Sequence, residues 1–313
     1  MPGGTLRRTN NGRPANHTMP LDIFIPYWGD PGYLKETVRS VMAQDSEDWR
    51  LTVVDDAYPD LTVKEYFAGI DDERITYIRK EQNEGITANY RTCVSLATQE
   101  LMTILGCDDV LLPNYVGTVL AAHRRFPEAA IIQPGVQVID ESGAVVTTLA
   151  DTAKQRLVRP RGSGIQLVSG EAIAANLMHG DWLYWPSLAF RTAKIREVDF
   201  REGFPIIQDL ALVMDMIYKG DQLLIEPTLC FSYRRHSASA SSSKLVDGSR
   251  FAGEREYFSL AAGQAKELGW KRAERAARIR ITSRAHAATL LPGALLNRNR
   301  TAAKALTRHI FGL

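Results

Sequence analysis

The sequence predicts an α/β protein, with a Rossmann-like, mainly parallel sheet flanked by helices and a helical C-terminal extension. Apolar β-type runs recur with helical patterns of roughly 10–15 residues between them, the spacing of parallel βαβ units with right-handed crossovers. The residues that follow those runs are polar and acidic, as expected where the carboxyl ends of parallel strands line a ligand crevice. Beyond Gly253 the pattern becomes helical and basic to the end of the chain.

Residues 1–19 are polar and rich in Gly, Asn and Pro, and read as a disordered arm. Strand Leu21–Ile25, helix Tyr33–Gln44 and strands Leu51–Val54 and Ile75–Ile78 follow. A helix Ile86–Thr98 leads into strand Leu101–Leu105; Pro113 opens a helix to about Arg125, and Ala130–Gln133 resumes the sheet. After residue 140 the alternation weakens. Asp140-Glu141-Ser142-Gly143 reads as a hairpin turn, with a loop-rich stretch to about Gly164. An aromatic segment Asp181–Ser187, a helix Gln208–Tyr218, a strand Leu223–Ile225 and a serine-rich loop Ser237–Ser243 complete a domain over 20–243. The extension, 244–313, reads as helices broken at Pro292-Gly293. No internal repeat is visible.

With 313 residues, 45% hydrophobic and 24% charged, the chain suits a folded core and excludes collagen, coiled coil and wholesale disorder. Cys93, Cys107 and Cys230 lack paired spacing, so a reducing compartment is expected. No run approaches the roughly 18 apolar residues of a membrane span, and the first residues lack a signal peptide's apolar core, so the expected location is the cytoplasm. The sequon Asn16-His17-Thr18 is then idle. From Lys271 to Leu313 ten Lys/Arg face one acid, Glu274, which leaves the preceding body acidic overall. Two readings of this tail stand side by side: a solvated face or homodimer contact, and a basic amphipathic surface on anionic lipid at the inner face of the membrane, with Leu290–Leu296 as its apolar part. Sparse aromatics there disfavour a nucleic-acid platform.

Val53-Val54-Asp55-Asp56 and Leu105-Gly106-Cys107-Asp108-Asp109 each end a strand run in adjacent carboxylates. One such pair is ordinary turn chemistry; two at neighbouring parallel strands concentrate negative charge in one crevice and call for a cation. Oxygen-only ligands without a His/Cys cluster suit Mg²⁺ or Mn²⁺ shared with substrate phosphates. Neither a P-loop nor a Gly-x-Gly-x-x-Gly turn is present, which excludes an ordinary P-loop NTPase and a Rossmann dehydrogenase. A receiver-type phosphoacceptor fold is much smaller than this chain. Asp209 at a helix start is equally a residue that complements the helix dipole. Trp182, Tyr184 and Trp185 are either core aromatics or an apolar face for a sugar ring.

Five ordered motifs then carry a resemblance: Ile23-Phe24-Ile25-Pro26-Tyr27-Trp28; Ser40-Val41-Met42-Ala43-Gln44; Val53-Val54-Asp55-Asp56; Asn83-Glu84-Gly85 with Asn89; and Leu105–Asp109. Together with Gln208-Asp209 and Tyr233-Arg234-Arg235-His236, the succession resembles the family 2 glycosyltransferases of GT-A fold over residues 20–243. The resemblance implies transfer of a sugar from a UDP-, GDP- or dTDP-sugar to a hydroxyl of a glycan or lipid-linked acceptor in cell-surface polysaccharide synthesis, with inversion. It places the donor against Pro26, Tyr27, Trp28, Asp30, Asp55, Asp56, Asn83, Gly85, Asn89, Asp108 and Arg234. It gives Mn²⁺ or Mg²⁺ to Asp108 with His236, and makes Asp209 the catalytic base. The acceptor is expected against Trp182, Tyr184 and Trp185. The chain departs from the family pattern at Gly106, where an Asp is usual, at Gln208 for Glu, at Gly29 for Asn and at Ala57-Tyr58 for Gly-Ser. Two other readings stay open: a non-catalytic nucleotide-sugar binding protein, and a sugar-phosphate nucleotidylyltransferase, which needs a Gly-rich basic loop that Pro26–Asp30 does not supply.

Overall fold

The computed structural model describes residues 19–147, 158–162, 164–204, 207–235 and 249–311. The expected N-terminal arm up to residue 18, the serine-rich loop and His236 lie outside the described residues.

Among the described residues nine strands form one sheet: β1 Leu21–Tyr27, β2 Trp49–Asp55, β3 Ile75–Arg79, β4 Leu101–Ile104, β5 Val110–Leu111, β6 Ala129–Ile139, β7 Gln166–Val168, β8 Ala189–Arg191 and β9 Gln222–Arg234. Their order is β3-β2-β1-β4-β8-β6-β9-β5, with β7 alongside β9. The first four strands in this order are mutually parallel. β8 runs antiparallel between β4 and β6, and β6 is again parallel to β9. Both faces are covered, which is why β1 and β2 read as nearly continuous apolar runs. On β1, Leu21, Ile23, Ile25 and Tyr27 pack on the face of helices α1 (Pro31–Met42) and α4 (Tyr115–Arg125), while Phe24 packs on the face of α3 (Ile86–Leu96) and helix Gln208–Tyr218. Asp22 is the polar exception. Its buried carboxylate accepts from the Thr98 and Gln99 amides at 2.6 and 2.8 Å and so fixes the turn before β4.

Helix α1 shows how the sequence sets its boundaries. Pro31 is pre-organised for the first turn, Asp30 Oδ1 accepts from the Gly32 and Tyr33 amides at 2.6 and 3.2 Å, and such a cap contributes about 1 kcal/mol. Leu34, Val38 and Val41 then bury one helical stripe.

The structure departs from the sequence reading at four places. Helices Thr62–Ala68 (α2) and Gly170–His179 occupy stretches to which the sequence assigned no element. β9 continues to Arg234 because Pro227 sits in a bulge opposite Gly135, where a Cβ would meet the Pro227 carbonyl at 2.6 Å; a bulge tolerates a proline that an ordinary central strand does not. Helix Ile281–Leu296 runs through Pro292, whose surroundings are exposed, so water can satisfy the carbonyl the ring leaves unpaired. The expected break at Pro292-Gly293 is therefore corrected to left-handed residues on either side, Arg280 (φ 51°) and Arg298 (φ 53°).

Part of the extension belongs to the main core. Tyr257, Phe258, Ala261, Ala265, Ala273 and Ala276, from helices Ser249–Glu267 and Lys271–Ile279, join the cluster that holds helix Gln208–Tyr218. The last two helices, Ile281–Leu296 and Arg300–Phe311, share a small core of Phe251, Ala287 and Leu306.

Candidate active site

Because β1 lies between β2 and β4, the three polar loops beyond their carboxyl ends adjoin. Trp28 is 49% exposed and meets the Tyr58 ring edge-on at 5.3 Å, and Tyr58 in turn lies 5.2 Å from Tyr27. Ala57 between them has φ 62°, a conformation that suits glycine, so Ala57-Tyr58 keeps a strained turn and adds an aromatic wall. The fit between loops is close: a Cβ on Gly29 would lie 3.1 Å from Cys107 Sγ. Burial, reinforced by Asp108, pushes the Cys107 thiol up to about 12, so it is inert.

The first acidic pair is turned inward and held by protein partners. Asp55 is fully buried; Oδ1 accepts from the Tyr58 amide at 2.7 Å, and Oδ2 from the Tyr77 hydroxyl and from Arg79 at 2.6 Å. Asp56 accepts from the Glu84 and Gly85 amides at 3.1 and 2.8 Å and pairs with Lys80 at 3.2 Å. Asn83 Oδ1 also receives the Gly85 amide at 3.0 Å, and Gly85 itself, φ 87°, uses glycine's left-handed freedom to start α3. Asn89 is buried and donates to the Val54 carbonyl at 2.9 Å. These residues brace the loop walls that Trp28, Tyr58 and half-buried Pro26 line. Asp30, exposed, is the α1 cap described above.

The second acidic pair differs. Asp109 is buried; Oδ1 accepts from the Arg234 amide at 2.8 Å, but Oδ2 is buried with no hydrogen-bond partner. Burial and then the neighbouring Asp108 hold the Asp109 carboxyl well above the usual range, against the pull of Arg234. Both carboxylates crowd over Gly106, where a Cβ would come within 3.0 Å of Asp108 Oδ1 and closer still to Asp109 Oδ2. Glycine at this position leaves room for the two carboxylates to converge. A divalent cation fits: an orphaned carboxylate oxygen beside a half-buried second carboxylate is the one-or-two-carboxylate set that Mg²⁺ or Mn²⁺ completes with substrate phosphates. Among the described residues no group of three or more His, Cys, Asp or Glu could hold a metal by itself.

Arg234 is tied to the acidic loop itself. Its guanidinium is buried and donates through Nε to the Asp108 carbonyl at 2.7 Å and through Nη1 to the Asp140 and Glu141 carbonyls at 3.1 and 3.2 Å. Nη2 pairs with Glu36 at 2.7 Å, and the ring of Tyr33 lies 4.7 Å below. Arg234 therefore clamps the acidic loop. Strand alternation puts its neighbours Tyr233 and Arg235 on the other face. Arg235 is exposed and lies 5.6 Å over the Tyr233 ring, a cation at the crevice that the sequence reading passed over. The period of two along β9 was the signal that distinguishes them.

Tyr233 links the two acidic regions. Its hydroxyl is pushed up by burial, then by Asp109, with smaller contributions from Asp108 and Asp209. Asp209 lies in the first turn of helix Gln208–Tyr218 but is not its cap, which is Ile207; its Oδ1 accepts from the Leu210 amide at 2.8 Å. Gln208 ties this helix to the start of α3 by accepting from the Thr87 hydroxyl at 2.7 Å. Tyr184 packs on Tyr233 at 5.3 Å. Trp182 and Trp185 are buried in the core, the former donating to Asn176 Oδ1 at 2.6 Å, so neither indole offers the open face a sugar platform needs.

The profile described as Glycosyl transferase family 2 matches residues 22–174, the span of β1 through β7 and the acidic loops. A provisionally named colanic acid biosynthesis glycosyl transferase of Escherichia coli (strain K12), WcaA, is 30% identical over 106 residues, covering 34% of this chain and 38% of that one. The succinoglycan biosynthesis protein ExoW of Rhizobium meliloti (strain 1021) is 32% identical over 111 residues, 34% of each chain. The chain spans about a third of the length of these curated relatives. Among solved structures, S. aureus TarS 1-349 in complex with UDP-GlcNAc superposes with a TM-score of 0.69 at 14% identity, covering 93% of this chain and 82% of that one, a likeness of fold.

Proposed function

Residues 22–174 are a family 2 glycosyltransferase domain, and from that premise we propose that the chain transfers a sugar from a nucleotide-diphosphate sugar to an acceptor hydroxyl in polysaccharide synthesis, with inversion at the anomeric carbon. The observation that supports the reading is Tyr233, whose hydroxyl is pushed up by burial and then by Asp109, with smaller contributions from Asp108 and Asp209, as a crevice shared by the acidic pair and the helix-start carboxylate would have it. The names of the polysaccharide-synthesis relatives and the UDP-GlcNAc-bound TarS fold support it.

In this reading Trp28 and Tyr58 take the nucleoside, with Asp55, Asp56, Asn83, Gly85 and Asn89 shaping their loops. Asp108 and Asp109 would hold Mg²⁺ or Mn²⁺, and Arg235 would meet the charge of the donor diphosphate. The bound cation supplies charge neutralisation for the departing diphosphate. Asp209 takes the proton of the acceptor hydroxyl as its oxygen bonds to the anomeric carbon and the bond to the diphosphate breaks. Tyr184 lies on the acceptor side. Asp209 is held in the first helical turn, and Gln208 keeps that turn against α3.

Among the described residues no helix is long and apolar enough to cross a membrane. Exposed Ile281, Leu295, Leu296 and Phe311 beside Arg298, Arg300 and Lys304 support a peripheral contact with an anionic membrane carrying a lipid-linked acceptor. A thermal-shift screen of UDP-, GDP- and dTDP-sugars with and without Mn²⁺ or Mg²⁺ tests the reading. One nucleotide class should stabilise the protein only with metal, and Asp108→Ala should remove the response. Donor binding that ignores both chelator and that substitution contradicts it.

A further inference from the structure

Behind Tyr184 lies a buried hydrogen-bond network to which the transferase reading gives no part. Gln133, on β6 and only 2% exposed, directs its side-chain amide at the turn that leads into β8: Oε1 accepts from the Tyr184 amide at 2.9 Å, and Nε2 donates to Ser187 Oγ at 2.9 Å and to the Pro134 carbonyl at 2.8 Å. Ser187, fully buried, relays the bond, its hydroxyl donating to the Tyr184 carbonyl at 2.7 Å. Both backbone polar groups of Tyr184 are thereby held from β6, the amide directly and the carbonyl through Ser187. The far end of the turn is fixed separately: the Tyr115 hydroxyl donates to the Ser187 carbonyl at 3.0 Å, and Thr103 Oγ1 donates to the Leu188 carbonyl at 2.7 Å.

Two observations give this network more than a space-filling part. The short turn Trp185–Ser187 already closes on its own backbone, with the Ser187 amide donating to the Tyr184 carbonyl at 2.9 Å and the Leu188 amide to the Trp185 carbonyl at 3.1 Å. A glutamine buried in a central strand is costly unless it is fully bonded, and here its bonds converge on one residue of that turn. That residue carries a ring to the crevice. Half-buried Tyr184 packs on Tyr233 at 5.3 Å, and the next amide along β9, that of Arg234, donates to Asp109 Oδ1 at 2.8 Å. An unbroken series of contacts therefore runs from Gln133 through Tyr184 and Tyr233 to the second acidic pair.

We infer that Gln133 is a positioning residue for the acceptor: by holding the backbone of Tyr184 it fixes the Tyr184 ring against Tyr233 as an aromatic face for the acceptor's sugar ring. The inference rests on the transferase reading and adds that the acceptor presents a sugar ring, not a lipid hydroxyl alone, at Tyr184. A displaced ring weakens acceptor binding in ground state and transition state alike, so the effect falls on KM and not on kcat. The test is steady-state transfer from the nucleotide sugar that the binding screen identifies to a panel of octyl glycosides, with donor Kd and melting temperature measured on the same preparations. Gln133→Leu should raise the acceptor KM roughly tenfold with kcat and donor Kd within about twofold of wild type, and Ser187→Ala, which removes only the relayed bond, should raise it about threefold. Gln133→Leu should add nothing to the KM of Tyr184→Ala, because both act through one ring. The inference is overturned if neither Gln133→Leu nor Ser187→Ala raises the acceptor KM, if kcat falls while KM stays, or if Gln133→Leu and Tyr184→Ala add in full; should Gln133→Leu not fold, Ser187→Ala decides alone. Metal-dependent cleavage of the nucleotide sugar with transfer to no glycoside overturns the sugar-ring acceptor and leaves the transferase reading standing, whereas a wild type that cleaves no nucleotide sugar, even with water as acceptor, defeats the reading and the inference together.

Discussion

Replacing Arg234 by methionine separates a clamp from a ligand contact. The substitution keeps an apolar stem but removes the bonds to the carbonyls of Asp108, Asp140 and Glu141. Hydrogen bonds to a charged group are worth about 1.5–3 kcal/mol each, and carbonyls left unpaired in a closed loop keep much of that cost. The pair with Glu36 adds under about 1 kcal/mol, because Glu36 is 47% exposed. With the shared Nη1 donation counted as one bond, a loss of about 3–6 kcal/mol follows, which lowers the urea midpoint by roughly 1–2 M at unchanged slope. Metal-dependent donor binding should weaken in the same variant, since Asp108 loses its tether and the hairpin behind it loosens. A midpoint within about 0.3 M of wild type, with donor affinity alone reduced, would refute the clamp and return Arg234 to the diphosphate.

The other predictions are simpler. Ala57→Gly relieves about 1–2 kcal/mol of left-handed strain against roughly 0.5–1 kcal/mol of added chain entropy, so the melting temperature should rise by a degree or two; a fall would mean that the loop needs the methyl group. Trp28→Ala should weaken nucleotide binding by about 1–3 kcal/mol while leaving stability within about 0.5 kcal/mol, read by calorimetry beside denaturation, and unchanged affinity removes Trp28 from the nucleoside wall. Burial holds His309 down to about 4, so it stays neutral in the fold while the unfolded chain takes up a proton below its ordinary value near 6.5. Stability is therefore full above that pH and falls as the pH drops towards 4; His309→Gln should flatten this part of the profile, and an identical acid profile in the variant contradicts the assignment.

The parallel half of the sheet was legible because burial on both faces writes a continuous apolar signal, as in Leu21–Tyr27 and Leu51–Val54. The aromatic crevice and the Asp108–Asp109 pair were legible for a related reason: residues at strand ends have to be where the topology puts them. What sequence could not separate was inward from outward. Asp55 and Asp108 look alike as strand-terminal acids, yet one is saturated by Tyr58, Tyr77 and Arg79 and the other lies beside an orphaned oxygen. Trp182 and Trp185 carry no mark of burial in a loop without periodicity. Arg234 and Arg235 were distinguishable only once β9 was known to continue past the Pro227 bulge, which the local pattern of Glu226-Pro227-Thr228 disguises as a stop. Helix Gly170–His179 was hidden by its glycine start and by the mostly apolar Ile173–Met178, where Asn176 alone is polar and no polar face marks a surface helix.

The central claim is that Asp209 takes a proton during sugar transfer, and Asp209→Asn tests it most directly. Asparagine keeps the shape and the bond from the Leu210 amide but accepts no proton. With the nucleotide sugar identified by the binding screen, kcat should fall by roughly 10²–10⁴ while donor Kd and the melting temperature stay near wild type. A variant that turns over at a near-normal rate, or one that merely melts earlier with kcat intact, would contradict the assignment and leave Asp209 as a helix-start residue.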